Sequence, residues 1–414
     1  MASSVPAEGG SIGEYRQRSP EGSVLSGEEL LVSADSDVDP VLSVVLPTLN
    51  EEAGIAECIE RIKTAIKLLG VPAEILISDS SSDRTPEIAR RMGAIVVEPD
   101  RPGYGYAYRY AFERARGDYI AMGDADTTYD FEELPDLLAE LVAADADMVL
   151  GSRLDGEIKQ GAMPTLHQYV GNPLLTAFLN SFYKAGVSDA HSGFRVFTSE
   201  ALETLDLQSD GMEFASEMIM DATAKDLEIA EVPITYHERE GEATLESFQD
   251  GWRHVKFMLT NAPGYLFSLP GAALAVLGTI VMGLAFFAVD LSLPGTGVVS
   301  VGIRSMVVGS LLTIVGYQAA TLGVFSTLAS NPIRRPSDRV TEWIVDNVSL
   351  EAGGLVGIGL FSVGGTYAAY IFYRWLTTGY EALPALTHDV LAFTLIVLGL
   401  QTIFSSFFMC MLGE

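Results

Sequence analysis

Asp124 and Asp126 stand one residue apart in Gly123-Asp124-Ala125-Asp126, directly after the apolar stretch Tyr119-Ile120-Ala121-Met122. Two carboxylates at the exit of a buried strand suit a hard divalent cation, Mg²⁺ or Mn²⁺, which takes oxygen ligands and keeps positions open for substrate phosphates. Alone the pair says little, because most such pairs in an acidic chain are simply solvated. Here it comes third in an ordered series. Val44-Val45-Leu46-Pro47-Thr48-Leu49-Asn50-Glu51-Glu52 comes first, then Ile77-Ser78-Asp79-Ser80-Ser81-Ser82-Asp83-Arg84-Thr85, then the acids. Each segment starts apolar and ends polar, so each delivers acids or hydroxyls to the end of a strand.

Farther along, Gly151-Ser152-Arg153 and Ser188-Asp189-Ala190-His191-Ser192-Gly193-Phe194-Arg195 both end on arginine, and Arg239 follows Glu231-Val232-Pro233-Ile234-Thr235-Tyr236. The planar guanidinium fork makes paired hydrogen bonds to phosphate oxygens. The chain thus offers carboxylates for a cation early and guanidinium groups for anions late. His167 and His191 have the chemistry of a base, although hydrogen-bonded structural histidines are commoner. Asp79 and Asp83 have a plainer reading too, as turn acids that accept hydrogen bonds from nearby backbone.

The elements that must position these groups are legible. From Val41 to about Ile234, short apolar runs alternate with helical patterns, the signature of a parallel α/β sheet. Strands are expected at 42–46, 75–78, 94–97, 119–122 and 148–151. Helices are expected at 53–69, with Ile55, Ile59, Ile62 and Ile66 on one face, at 85–92 with Pro86 in the first turn, and near 107–115. The acids then fall at the carboxyl ends of strands, where open α/β sheets bind ligands. Gly103-Tyr104-Gly105-Tyr106 is too short for a dinucleotide fingerprint and reads as a flexible glycine loop before a helix.

After Leu259 come four apolar runs, 266–289, 305–328, 355–376 and 390–412. Each can cross a hydrocarbon core of ~30 Å, which takes about 20 residues. The loop between the second and third runs carries Arg334, Arg335 and Arg339, which places it, the α/β domain and the C-terminus in the cytoplasm. Between the halves, 245–259 sets Phe248, Trp252 and Phe257 beside Arg253, His254 and Lys256, the pattern of an interfacial amphipathic helix.

The composition narrows the partners. With 55 acidic against 25 basic residues the net charge is −30, yet 48% of the chain is hydrophobic. That excludes a disordered acidic chain and disfavours nucleic acid as a partner, since no basic surface exists to neutralise phosphates. Cys58 and Cys410 are too few for a disulfide framework. Residues 1–38, rich in Ser, Gly and Glu, read as a disordered leader.

The ordered series resembles the inverting family 2 glycosyltransferases, and within them the dolichol-phosphate (polyprenyl-phosphate) hexose synthases, over roughly 42–259 plus the membrane tail. The resemblance implies a GT-A-type, Rossmann-like α/β domain at 39–244, an interfacial helix at 245–262 and an all-α membrane domain of four transmembrane helices at 263–414. It implies inverting transfer of a hexose from UDP-glucose or GDP-mannose to dolichyl or polyprenyl phosphate at the cytoplasmic membrane face, for protein glycosylation or surface glycans. By the same resemblance Pro47, Leu49 and Glu51 meet the nucleoside, Asp79 the base, and Ile77, Asp124 and Ala125 the donor. Asp124 and Asp126 hold Mg²⁺ or Mn²⁺, and Arg153, Arg195 and Arg239 face phosphate. A lipid phosphate is already anionic, so no strong base is required.

This chain departs from the family pattern in places. Leu49 replaces an aromatic residue, Thr128 stands where related synthases carry a Gln ligand, and Ala243-Thr244 replace Ser-Lys. A processive polysaccharide synthase would carry Gln-x-x-Arg-Trp, of which Tyr373-Arg374-Trp375 is an echo without the Gln. A transporter or flippase with a nucleotide-sensing domain would need more polar residues in its spans. The membrane helices offer a surface for a homo-oligomer. The acidity and the scarcity of lysine, six in all, match proteins of salt-accumulating halophilic archaea.

Overall fold

The structure is a computed structural model that describes residues 30–240, 247–293, 297–329, 333, 339–378 and 383–413. Residues 1–29 of the expected leader, the Gly241 to Thr244 stretch and Arg334-Arg335 lie outside the described residues. The chain divides into two compact units, Met1–Met258 and Leu259–Glu414.

The first unit carries one sheet in the order β3-β2-β1-β4-β6-β5-β7. In chain order its elements are β1 (Leu42–Thr48), α1 (Ile55–Leu69), β2 (Ala73–Asp79), α2 (Thr85–Arg91), β3 (Ile95–Val97), α3 (Tyr104–Phe112) and β4 (Tyr119–Met122). There follow α4 (Leu134–Ala143), β5 (Met148–Ile158), α5 (Asn172–Tyr183), β6 (Arg195–Thr198), α6 (Ser199–Thr204), α7 (Phe214–Ala224), β7 (Ile229–Tyr236) and α8 (Ser247–Thr260). The isoleucine stripe of α1 is wholly buried on the sheet, and Gly70 ends that helix at φ 68, a conformation that favours glycine. Two hydrophobic faces meeting in this way supply most of the helix's stability.

Two expectations are corrected here. The sheet is mixed: β1 to β4 are mutually parallel, but β6 runs antiparallel to both β4 and β5. Met122 at the end of β4 pairs with Arg195 at the start of β6. The turn before β6 therefore lies at the same sheet edge as the acids, which a parallel strand would have sent to the opposite edge. A four-residue strand carries no directional signal in its sequence. The leader is also shorter than residue 38. Leu30 and Val32 are buried, Leu31 bridges Ala73, and Val32 N–H donates to the Ala73 carbonyl at 2.8 Å. Buried Glu74 accepts from Ser43 Oγ and from the Arg116 guanidinium, which also reaches the Ser33 carbonyl.

The second unit holds α9 (Leu269–Phe286), the hairpin β8 (Asp290–Leu293) and β9 (Gly297–Ser300), α10 (Ile303–Ala329), α11 (Arg339–Asn347), α12 (Leu350–Thr378) and α13 (Leu386–Gly413). Gly264–Phe286, Ile303–Ala329, Leu350–Thr378 and Leu386–Leu412 are long and apolar enough to cross a membrane. In lipid, helices associate by close packing of small residues rather than by hydrophobic burial. Gly271 and Gly278 of α9 face Gly316 and Gly309 of α10 so closely that any Cβ would overlap the opposing backbone. Replacing Gly316 with leucine drives its side chain into the Ala275 backbone, whereas Gly359 of α12 has nothing within 4 Å. Thermal unfolding in detergent is expected to show Gly316→Leu destabilised by about 1–3 kcal/mol, the usual cost of overpacking. Gly359→Leu is expected to unfold like the parent.

Candidate active site

The exits of β1 and β2 are stitched into one platform. Thr48 Oγ1 donates to Asp79 Oδ1 at 2.7 Å, and Asn50 N–H donates to Ser81 Oγ at 2.7 Å. Asn50, at φ 60, accepts at Oδ1 from Ser82 N–H at 2.9 Å. Asp83 accepts from both the backbone and the hydroxyl of Thr85 and from Glu52 N–H. Asp83 is thus a turn acid, the plainer of its two sequence readings. Leu49 projects outward, 55% exposed, and an open cleft of about 430 Å³ lies between Asp79 to Ser81 and Glu98 to Pro102. Pro47 is part-buried at the end of β1. Ile77 is fully buried in the core of the sheet.

The acid pair sits at the exit of the central strand β4, as its position predicts. Asp124 Oδ1 accepts from the Tyr104 hydroxyl at 2.8 Å. Burial first, and then the neighbouring Asp126 carboxylate, push the Asp124 carboxyl up to about 6. Asp126 Oδ1 accepts from Thr128 Oγ1 at 2.5 Å and its Oδ2 lies 3.5 Å from Arg239. Thr128 thus spends its hydroxyl on the acid itself. Ala125 between the acids is buried at 2% exposure.

Arg239 is brought in by the segment after β7. His237 N–H donates to the Thr128 carbonyl at 2.8 Å, Glu240 N–H to the Asp126 carbonyl at 3.2 Å, and Tyr236 bridges Tyr129. This zipper places the Arg239 guanidinium 2.6 Å from Glu51 Oε1 as well as beside Asp126. Desolvation raises the Glu51 carboxyl to about 7 against the lowering effect of Arg239, with Asp126 and Asp124 adding to the rise. Two acids from separate loops thus share one guanidinium. Among the described residues no three His, Cys, Asp or Glu side chains form a ready-made cage. The desolvated Asp124/Asp126 pair nevertheless fits a cation that keeps water and substrate oxygens as its remaining ligands.

The turn before β6 is held from every side. Arg153 makes a paired bond to Asp189, Nε to Oδ2 at 2.7 Å and Nη2 to Oδ1 at 2.9 Å. Ser188 N–H donates to Glu231 at 2.7 Å, and Gly193 N–H donates to Tyr129 Oη at 2.7 Å. Arg195, expected to meet phosphate, is 0% exposed and donates to the Ser192 and Ala190 carbonyls at 2.9 and 3.1 Å. Its charge therefore braces the turn in this conformation, and Arg153 is likewise engaged by Asp189. His191 Nε2 lies 3.2 Å from Ser216 Oγ, which also lies 3.0 Å from His254 Nδ1 on α8, and the two rings meet edge to face. His167 sits apart, in the π-helical turn His167–Gly171.

Sequence reasoning missed Tyr104, Tyr129, Asp189 and Glu231. Tyr104 was hidden because the Gly103 to Tyr106 stretch reads as a loop but opens α3. Gly105 permits this, since a Cβ there would strike the Ser209 carbonyl and Phe214. Asp189 lay inside a segment singled out for its arginine, and its pairing with Arg153 spans 36 residues.

Residues 43–206 match the glycosyl transferase family 2 model, and residues 324–413 match the family 2 glycosyltransferase C-terminal transmembrane region. A low-salt glycan biosynthesis hexosyltransferase, Agl6 of Haloferax volcanii, is 58% identical over 389 residues, 94% of this chain and 93% of that one. The chain belongs to glycosyltransferase family 2. It is a membrane glycosyltransferase with an α/β catalytic domain and a helical C-terminal part. A dolichyl-phosphate hexose transferase of the same organism is 35% identical over 51% of this chain and 89% of that one. A glucosyl-3-phosphoglycerate synthase from Mycobacterium tuberculosis, solved with Mn²⁺, UDP-glucose and phosphoglyceric acid, is 27% identical over 53% of this chain and 78% of that one, at a TM-score of 0.43. At that score the likeness supports no conclusion about the present glycosyltransferase.

Burial, then the adjacent His254, push the His191 imidazole down to about 3. The unfolded ring takes its proton near pH 6.5. Above that pH both states are neutral and the ring has no effect. As pH falls from about 6.5 toward 3 the unfolded state binds the extra proton, so stability is lost. Between pH 7.5 and 5 the melting temperature is expected to fall less in His191→Gln than in the parent, measured at constant salt.

Proposed function

We propose that this glycosyltransferase moves a hexose from a nucleotide sugar, UDP-glucose or GDP-mannose, to the phosphate of a dolichyl or polyprenyl phosphate, with inversion. The observation that carries the reading is the joining of Glu51, Asp126 and Arg239 at the carboxyl edge of the sheet. This cluster occurs in a chain that also has four membrane-length helices. The similarity to a hexosyltransferase and a dolichyl-phosphate hexose transferase supports the sugar class and the lipid acceptor.

In this reading the nucleoside lies along the cleft beside Asp79, against Pro47 and exposed Leu49. Asp124 and Asp126 hold Mg²⁺ or Mn²⁺, which would neutralise the diphosphate and stabilise the departing nucleoside diphosphate. Tyr104 and Thr128 fix the rotamers of the two acids, so their oxygens need no reorganisation when substrate arrives. Arg239, with its side chain 24% exposed, is the guanidinium open to substrate phosphate, while Arg153 and Arg195 shape the turn beside it. The acceptor phosphate is itself the nucleophile, so the residues need only align it in line with the anomeric carbon and balance its charge. The loop with Arg334, Arg335 and Arg339 supports a cytoplasmic catalytic domain. A homo-oligomer formed through the membrane helices is compatible with this scheme.

The test is transfer of labelled hexose from UDP-glucose and GDP-mannose onto dolichyl phosphate, in molar salt, with and without Mg²⁺ or Mn²⁺. Label is expected in the lipid phase with one donor, dependent on metal. Asp126→Ala is expected to lower turnover by about a hundredfold or more, the scale of losing one electrostatic stabiliser. Arg239→Ala is expected to weaken donor and acceptor use together. Polymeric product, or no lipid product from folded protein with either donor, overturns the reading.

A further inference from the structure

One helix of the catalytic unit makes its polar bonds inward and shows its apolar side chains outward. The chain is helical from Thr165 through Tyr183, as the π-helical turn His167–Gly171 running into α5. Thr176 Oγ1 accepts from Ala190 N–H at 3.3 Å, and Asn180 bonds both the N–H and the carbonyl of Val187. The Tyr183 hydroxyl donates to the Met258 carbonyl at 3.1 Å. On the opposite side Leu166 is 68% exposed, Tyr169 69%, Val170 51% and Leu174 65%. Exposed Ala177 and Ser181 extend that face, and no charged residue occurs from Gln168 to Tyr183. Single exposed hydrophobics, such as Leu68 and Val142 in the same unit, need no explanation. Four on one short helix mark a surface that meets something other than water.

The charge pattern names the partner. The chain carries 55 acids among 414 residues, yet none from Ile158 to Ser188, a run of 31 residues. Before Asp250 no other acid-free run reaches half that length. Lys159 and Lys184 flank the helix. Elsewhere the acids keep the catalytic unit in water. A surface that approaches anionic headgroups has to shed them, because like charges repel. Leucine and valine to enter the acyl boundary, tyrosine at headgroup level and lysines beyond the ends make the composition of a helix lying in a membrane interface. The bilayer is also at hand. Tyr183 is bonded to Met258, six residues before the membrane-length helix Gly264–Phe286 begins. Six residues of extended chain reach about 20 Å at most.

We propose that the outward face of the 165–183 helix docks on the bilayer that the chain itself spans, inserting Leu166, Val170 and Leu174. An interfacial helix of this kind buries its apolar face about 5–10 Å into the boundary between headgroups and acyl chains. Through Thr176 and Ala190 the docked helix holds the turn before β6 close to the lipid surface. Docking depends on membrane attachment and not on which donor or acceptor the enzyme uses.

The experiment uses the full-length protein in nanodiscs of phosphatidylcholine and phosphatidylglycerol, in molar salt. Cys410→Ser removes the exposed thiol, and Cys58 is buried. Bimane is attached at Leu166→Cys, Val170→Cys or Leu174→Cys, with Leu68→Cys on the exposed side of α1 as the control. Variants are qualified by parental elution volume and melting temperature. At the three helix positions bimane is expected to lose most of its fluorescence to lipids with a nitroxide near the top of the acyl chain, and little to aqueous iodide. Leu68→Cys is expected to show the reverse. Lipid quenching no greater than at Leu68→Cys overturns the proposal. Shielding from both quenchers also overturns it, and assigns the face to a second copy or another protein contact. Leu166→Glu combined with Leu174→Glu, read by bimane at Val170→Cys, is expected to lose most of the lipid quenching and gain iodide quenching. Unchanged lipid quenching in that variant means that the apolar face does not drive insertion, and sinks the proposal. None of these readouts needs turnover, so a different donor or acceptor would refute the function proposed above and leave the docking result standing.

Discussion

The catalytic domain turns on one electrostatic constraint: three carboxylates from two loops are partly desolvated within reach of one another. Glu51 and Asp124 are destabilised as anions by burial and by the neighbouring carboxylates, as their raised pKa values record. Such a cluster persists only if cationic and hydrogen-bonding groups are held against it. Arg239 supplies the charge, and Tyr104 and Thr128 supply hydroxyl donors. The rest of the site can be understood as the framework that keeps these partners in place.

That framework depends on one reversed strand. Because β6 enters the sheet antiparallel between β4 and β5, the turn before it reaches the edge where β4 delivers its acids. Two buried guanidinium groups brace the turn, Arg153 from β5 locked to Asp189 and Arg195 bonded to the turn's own carbonyls. Tyr129 ties it to the acid loop through Gly193, and Tyr236 packs against the same ring. The loop is thus rigid for the reason buried polar networks generally are: each broken bond would leave a desolvated group unmatched. Among the described residues the membrane unit works differently, by backbone contact at glycines with few polar bonds.

Motifs such as the acid pair, the two strand-exit segments and the four apolar runs were legible in the sequence because each is local. A strand exit needs only an apolar run and a polar turn, and a membrane span needs only length and hydropathy. The isoleucine face of α1 was equally plain, since helical periodicity is written in adjacent turns. The segment after β7 showed its arginine, but not that the arginine would answer Glu51 across 188 residues. Leu30 to Val32 were hidden in a polar leader, too short to show any period.

From the sequence alone came the α/β class, the order of elements, the membrane tail and the residue types that bear the chemistry, all properties of neighbouring residues. Tertiary structure alone decided the direction of β6, the burial of Arg195 and Ile77, the pairing of Arg153 with Asp189 and the sharing of Arg239 between two acids. Those outcomes depend on which distant groups meet after the chain has closed. Desolvation then sets their charge and their freedom, and no local pattern encodes it.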